Sequence, residues 1–130
     1  MKKYLSFIAV LLFFSFSSLS EDIPVQVINA FNTGNASLLA QSFNNTVELT
    51  LFDKEEIYSK TQAEMILRDF FSKHKPTQFK IIHQGGKENS KYAIGNLVCG
   101  AESFRVTFLL KSEGNNIFIH QLRIENDYVE

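Results

Sequence analysis

Ser103-Phe104-Arg105-Val106-Thr107-Phe108-Leu109-Leu110-Lys111 decides the fold. Phe104, Val106, Phe108 and Leu110 recur at every second position, with Ser103, Arg105, Thr107 and Lys111 facing the other way. A period of two marks a strand with one face in a core and one outside it. The same reading spreads outward. Gly114-Asn115-Asn116 turns the chain into another strand, Ile117 to Glu125. On the N-terminal side, Tyr92 to Cys99 forms a strand closed by Gly100, and Phe79 to Gln84 one closed by Gly85-Gly86. Connections this short make antiparallel hairpins and leave no room for crossovers, so a four-stranded meander is predicted.

The first half reads differently. Asp22 is an N-cap residue type, Pro24 is tolerated in a first turn, and Ile23, Val27, Ala30 and Phe31 share one helical face. Thr33-Gly34-Asn35 ends that helix and caps a short second one, in which Ala36, Leu39, Ala40 and Phe43 keep the spacing until Asn44-Asn45 breaks it. Val47, Leu49 and Leu51 then alternate with Glu48, Thr50 and Phe52, Asp53-Lys54-Glu55-Glu56 is expected to turn the chain, and Ile57-Tyr58-Ser59 to return it. Thr61 and Glu64 have capping-box spacing ahead of a long helix whose buried stripe is Ala63, Ile66, Leu67, Phe70 and Phe71, stopped by Pro76.

With this order of elements the chain resembles the nuclear transport factor 2-like (cystatin-like) superfamily, and within it a family of small exported bacterial proteins of unknown function. The stretches that carry the likeness are Ala30-Phe31-Asn32-Thr33-Gly34-Asn35, Ile94-Gly95-Asn96-Leu97, Phe104-Arg105-Val106-Thr107-Phe108 and Ile119-His120-Gln121-Leu122-Arg123-Ile124. It spans residues 22–126. The resemblance implies an α+β fold in which a strongly bent antiparallel sheet wraps three N-terminal helices into a cone, in the order α-α-β-β-α-β-β-β-β. It implies a ligand or catalytic pocket at the open end of the cone and, often, a dimer through the opposite sheet face. The superfold hosts enzymes, binders and scaffolds alike, so it assigns no activity.

Met1-Lys2-Lys3, the apolar run Tyr4 to Phe16, and Ser17-Ser18-Leu19-Ser20 before Glu21-Asp22 have the order of a signal peptide cut after Ser20. The apolar core is shorter than the roughly 20 residues of a spanning helix, so no membrane span is expected once it is removed. Residues 1–20 are thus read as a signal peptide and residues 21–130 as a single domain, exported to the periplasm or beyond the cell. Losing Lys2 and Lys3 takes the formal net charge from −1 to −3, and neither value points to nucleic-acid binding, which calls for a basic face. The single cysteine, Cys99, leaves no internal disulfide.

Chemistry-bearing residues are sparse. An isomerase of this superfamily needs a carboxylate base and a buried donor to a developing oxyanion. By position Glu48 or Asp53 would be the base and Tyr58 or Tyr92 the donor, but the favoured reading makes Glu48 a solvent-facing strand residue and Asp53 a turn former. His83 and His120 lie on different strands of the meander, and without a third ligand they make no catalytic zinc site. His74 precedes Pro76 at a helix C-terminus, where a cation suits the dipole. Cys99 ends an apolar strand as a buried thiol. No catalytic set, metal site or cofactor is therefore expected. The reading that follows is a non-enzymatic module whose cone holds a small apolar molecule or a peptide, with Tyr58, His83, Tyr92 and His120 as ligand-binding candidates. The alternatives are an envelope interaction protein dimerising through its sheet and an isomerase or cyclase. Arg105, Thr107 and Leu109, with Gln121 and Arg123 of the last strand, form a half-polar sheet face suited to exposure or to a two-fold homodimer.

Overall fold

Residues 23–127 are described by the computed structural model, so the leader, the cut after Ser20 and the Asp22 cap lie outside the described residues. Helix α1 (Val25–Thr33) starts two positions later than expected, with Pro24 as the N-cap residue and its carbonyl accepting from Val27 and Ile28. It closes at Gly34 in the left-handed conformation, and the Asn35 side chain accepts from the Leu38 amide at 2.9 Å to start α2 (Ala36–Ala40).

Strand β1 (Phe43–Leu51) takes in Phe43, Asn44 and Asn45 instead of starting after them, and a register shift between Phe43 and Glu48 absorbs the irregular stretch. The turn that follows is tighter than expected. Phe52, at φ 58°, donates its amide to the Ile124 carbonyl at 2.9 Å, and β2 (Lys54–Ser59) begins two residues on. The capping box of α3 (Lys60–Lys73) is Ser59 with Gln62, not Thr61 with Glu64. Because β2 runs extended right up to Ser59, that residue is the last non-helical one, and Thr61 already sits inside the first turn. The stripe on α3 is as read from spacing: Ala63, Leu67, Phe70 and Phe71 are buried and Ile66 half-buried.

Strands β3 (Gln78–Lys87), β4 (Ser90–Cys99), β5 (Glu102–Glu113) and β6 (Asn116–Asn126) form the meander. Gly85 and Gly86 do not close β3. They stay in the ladder opposite Tyr92 and Lys91, and the turn falls at Glu88-Asn89. The sheet has the order β2-β1-β6-β5-β4-β3. Its hairpin pairings are antiparallel, whereas β1 and β6 pair in parallel. These two strands come from opposite ends of the domain, and the chain between them passes through α3 and the meander, a connection long enough for a parallel neighbour.

Alternation holds across β4 and β5, and on β6 up to the register shift at His120. Ala93, Leu97, Phe104, Val106, Phe108, Leu110, Ile119, Leu122 and Ile124 are buried toward the helices. There α1 packs on β3, and α3 on β1 and β2. Phe31 is the hub: its ring stacks on Phe79 at 4.7 Å and on Phe108 at 5.9 Å, and meets Phe71 edge-on at 6.3 Å. Half-buried Asn32 ties α1 to the sheet, its Oδ1 accepting from the Phe79 amide at 2.9 Å. A second aromatic group joins Phe52, Phe70 and Phe104, with the His74 ring against it and His74 Nδ1 2.8 Å from Glu102 Oε1. No described helix is long and apolar enough to cross a membrane.

Candidate functional site: a trough on the outer face of the sheet

Strand register aligns the outward side chains into rows that run across the sheet. Tyr92, Leu109, Gln121 and Glu48 stand side by side on β4, β5, β6 and β1. The next row is Ile94, Thr107, Arg123, Thr50 and, on β2, Glu55. Arg105 and Glu125 pair in a third. Between them lies an open trough of about 350 Å³ on the face away from the helices. The face that alternation on β5 and β6 singles out (Arg105, Thr107, Leu109, Gln121, Arg123) is thus the middle of this trough. Residues from β1 and β2 complete it, and no local signal could add them, because only the parallel β1–β6 pairing brings them alongside.

Two guanidinium groups and three carboxylates share the trough. Gln121 Nε2 donates to Glu48 Oε2 at 3.1 Å, and Thr50 Oγ1 to Glu55 Oε1 at 3.4 Å. Arg123 Nη2 stays 4.0 Å from Glu55 Oε1, so its donors are not committed to a tight pair. Tyr92 walls one end. Its hydroxyl lies 3.1 Å from His83 Nε2, which fixes the ring against β3.

The four residues named from sequence do not converge. Tyr92 lies in the trough with His83 at its flank. Tyr58 lies on the helix side, opposite Val47, beside an apolar notch formed by Leu49, Leu51, Phe52 and Ile66. The Glu56 carboxylate, accepting from the Tyr58 hydroxyl, holds the phenol above its ordinary pKa. His120 sits at the register shift of β6 against β5. Its Nε2 is buried without a hydrogen-bond partner, 4.0 Å from Glu113 Oε1. Two strands separate β6 from β3, which keeps His120 and His83 roughly 14 Å apart across the sheet. Among the described residues no group of three or more His, Cys, Asp or Glu could hold a metal ion.

The candidates for chemistry are placed as plainly. Glu48 is half-buried in the trough, and Asp53 is exposed in the β1–β2 turn. No described Asp or Glu is fully buried, and the described core buries no polar or charged residue. Cys99 is buried, and loss of water, with the Glu102 charge adding to it, pushes its thiol up to about 11.

Comparison with known proteins adds a family. The profile described as domain of unknown function (DUF4783) matches residues 24–125. No curated protein matches the chain. A DUF4783 family protein of known structure from Bacteroides uniformis is 33% identical with a TM-score of 0.78, over 83% of this chain and 100% of that one. A domain of unknown function with a cystatin-like fold from Nostoc punctiforme is 12% identical with a TM-score of 0.63, over 81% of this chain and 73% of that one. A protein of unknown function from Cytophaga hutchinsonii, described as NTF2-like (nuclear transport factor 2-like), is 14% identical with a TM-score of 0.57, over 79% and 85%. The two distant likenesses concern the fold alone.

Proposed function

The chain belongs to the DUF4783 family, and on that premise we propose that it is an exported, non-enzymatic binding module whose ligand seat is the outer trough of its sheet. One observation carries the reading: the helix side of the sheet is occupied by phenylalanine rings packed on one another, whereas the outer face holds an open, half-polar concavity. A concave site with a few convergent polar groups is the ordinary form of a small-molecule seat. This moves the seat from the interior of the cone to the face behind it. Against an isomerase or cyclase stands the placement of the carboxylates. A general base of that kind works from a desolvated cavity, and each described Asp and Glu has access to water. Export rests on the order of residues 1–22: two lysines, an apolar run, small serines, then acid.

A two-fold dimer through the same face is the second reading. Ile57, 72% exposed, extends the row of Glu48 and Gln121 at the sheet edge and would be covered by a second copy. Native mass spectrometry of residues 21–130, purified gently from the exported fraction, separates the two. A monomer carrying extra mass that is lost on denaturation is the expected result. A bare dimer would give the face to the second copy, and a bare monomer would remove the support for both.

A further inference from the structure

We infer that the trough takes a neutral polyhydroxylated ligand, a mono- or disaccharide; this rests on the reading of the trough as a ligand seat. The reason is the chemistry of its lining. Arg105 and Arg123 against Glu48, Glu55 and Glu125 give both signs within one concavity, so neither an anion nor a cation gains from entering it whole. Planar groups with several donors or acceptors in fixed directions do suit hydroxyl groups, which donate and accept at once. Arg123 offers donors, Glu48 and Glu125 acceptors, and Gln121 both. The Gln121–Glu48 bond at 3.1 Å already aligns a donor with an acceptor on neighbouring strands, so that pair is set before a ligand arrives. Ile94 and Leu109 lie on the floor beside the Tyr92 ring, an apolar surface for the C–H face of a sugar ring.

Other occupants fit less well. A peptide adds itself to a free strand edge, but the trough lies mainly over β4, β5, β6 and β1, which are flanked on both sides within the sheet, and the edge strand β2 contributes Glu55 alone. A lipid chain wants a continuous apolar lining, which the rows of Thr107, Arg123 and Thr50 interrupt. The volume of about 350 Å³ sits at the low end for small-molecule sites, roughly 300–1,000 Å³, and so favours a short ligand.

The test is a ¹⁵N–¹H NMR titration of residues 21–130 with glucose, galactose, mannose, N-acetylglucosamine, maltose and cellobiose, and in parallel with glucuronate and a mixed-charge tripeptide. At least one neutral sugar is expected to give saturable shifts centred on Tyr92, Thr107, Gln121 and Arg123. Arg123→Ala and Gln121→Ala should each weaken that binding about tenfold. Both variants should keep the thermal midpoint of the parent, and Lys73→Ala, on the far side of α3, should keep the affinity. Shifts at these residues with glucuronate or the tripeptide but with no neutral sugar would overturn the neutral-sugar assignment and leave the seat standing. If no probe moves them, or if they broaden with protein concentration as a dimer forms, the seat and the assignment both fall.

Discussion

At the scale of single residues, two positions show how little slack the core has. A β-carbon on Gly95 would lie 2.5 Å from the Phe79 ring, inside any van der Waals contact. Gly95→Ala must therefore push Phe79 off Phe31, on which it stacks at 4.7 Å. The expected cost is about 1–3 kcal/mol, as for other overpacked cores, read as a lower urea midpoint at unchanged slope; a midpoint equal to the parent's would mean that the ring yields freely. Cys99 makes the opposite kind of statement. Burial raises its pKa from an ordinary 9.0 to about 11, so the thiolate is scarce at neutral pH and the sulfur is shielded. Iodoacetamide at pH 8 should label it far more slowly in the native protein than in urea, and equal rates would show the site to be open. The sign for stability follows. The Cys99 contribution is full below about pH 9 and is lost as pH climbs toward 11, because the unfolded chain releases the proton first.

At the scale of elements, caps and ties decide where the pieces begin and how they attach. Ser59→Ala removes the acceptor for the Gln62 amide and should cost about 1 kcal/mol, while Thr61→Ala should stay within about 0.5 kcal/mol. Thermal melts of the two variants distinguish the cap of the structure from the one read off spacing, and a reversed ranking would restore Thr61. Asn32 joins α1 to β3. Asn32→Ala leaves the amide of buried Phe79 without its acceptor, for about 1–2 kcal/mol. Hydrogen exchange should report it as faster exchange at Phe79, with the α3 amides keeping their order of protection.

At the scale of the whole molecule, stability and recognition occupy opposite faces of one sheet. Phe31 bridges helix α1 to β3 and β5 and touches α3 through Phe71. Phe31→Ala should cost about 3–5 kcal/mol, enough to unfold a marginal domain. The rows behind it are exposed or half-buried, and the exposed Arg105, Arg123 and Gln121 can change without opening the core. Such a division lets the outer face vary while the inner one holds the fold, which is how a single superfold comes to carry unrelated activities.

Alternation and helical spacing are local, and they were enough to give the two alternating sets of residues on β5, the stripe of α3, the turn at Gly34-Asn35 and the α+β order; which of the two sets meets the helices was decided by packing. They also placed Arg105, Thr107, Leu109, Gln121 and Arg123 on one face, half of the candidate site. Tertiary structure alone decided the rest. Glu48, Thr50 and Glu55 reach the trough only because β1 lies parallel to β6, a pairing between segments more than 70 residues apart that leaves no mark on either strand's own pattern. Tyr58 and Tyr92 look alike in sequence, yet register sends one to the helix side and the other to the trough, and a shift of one residue would exchange them.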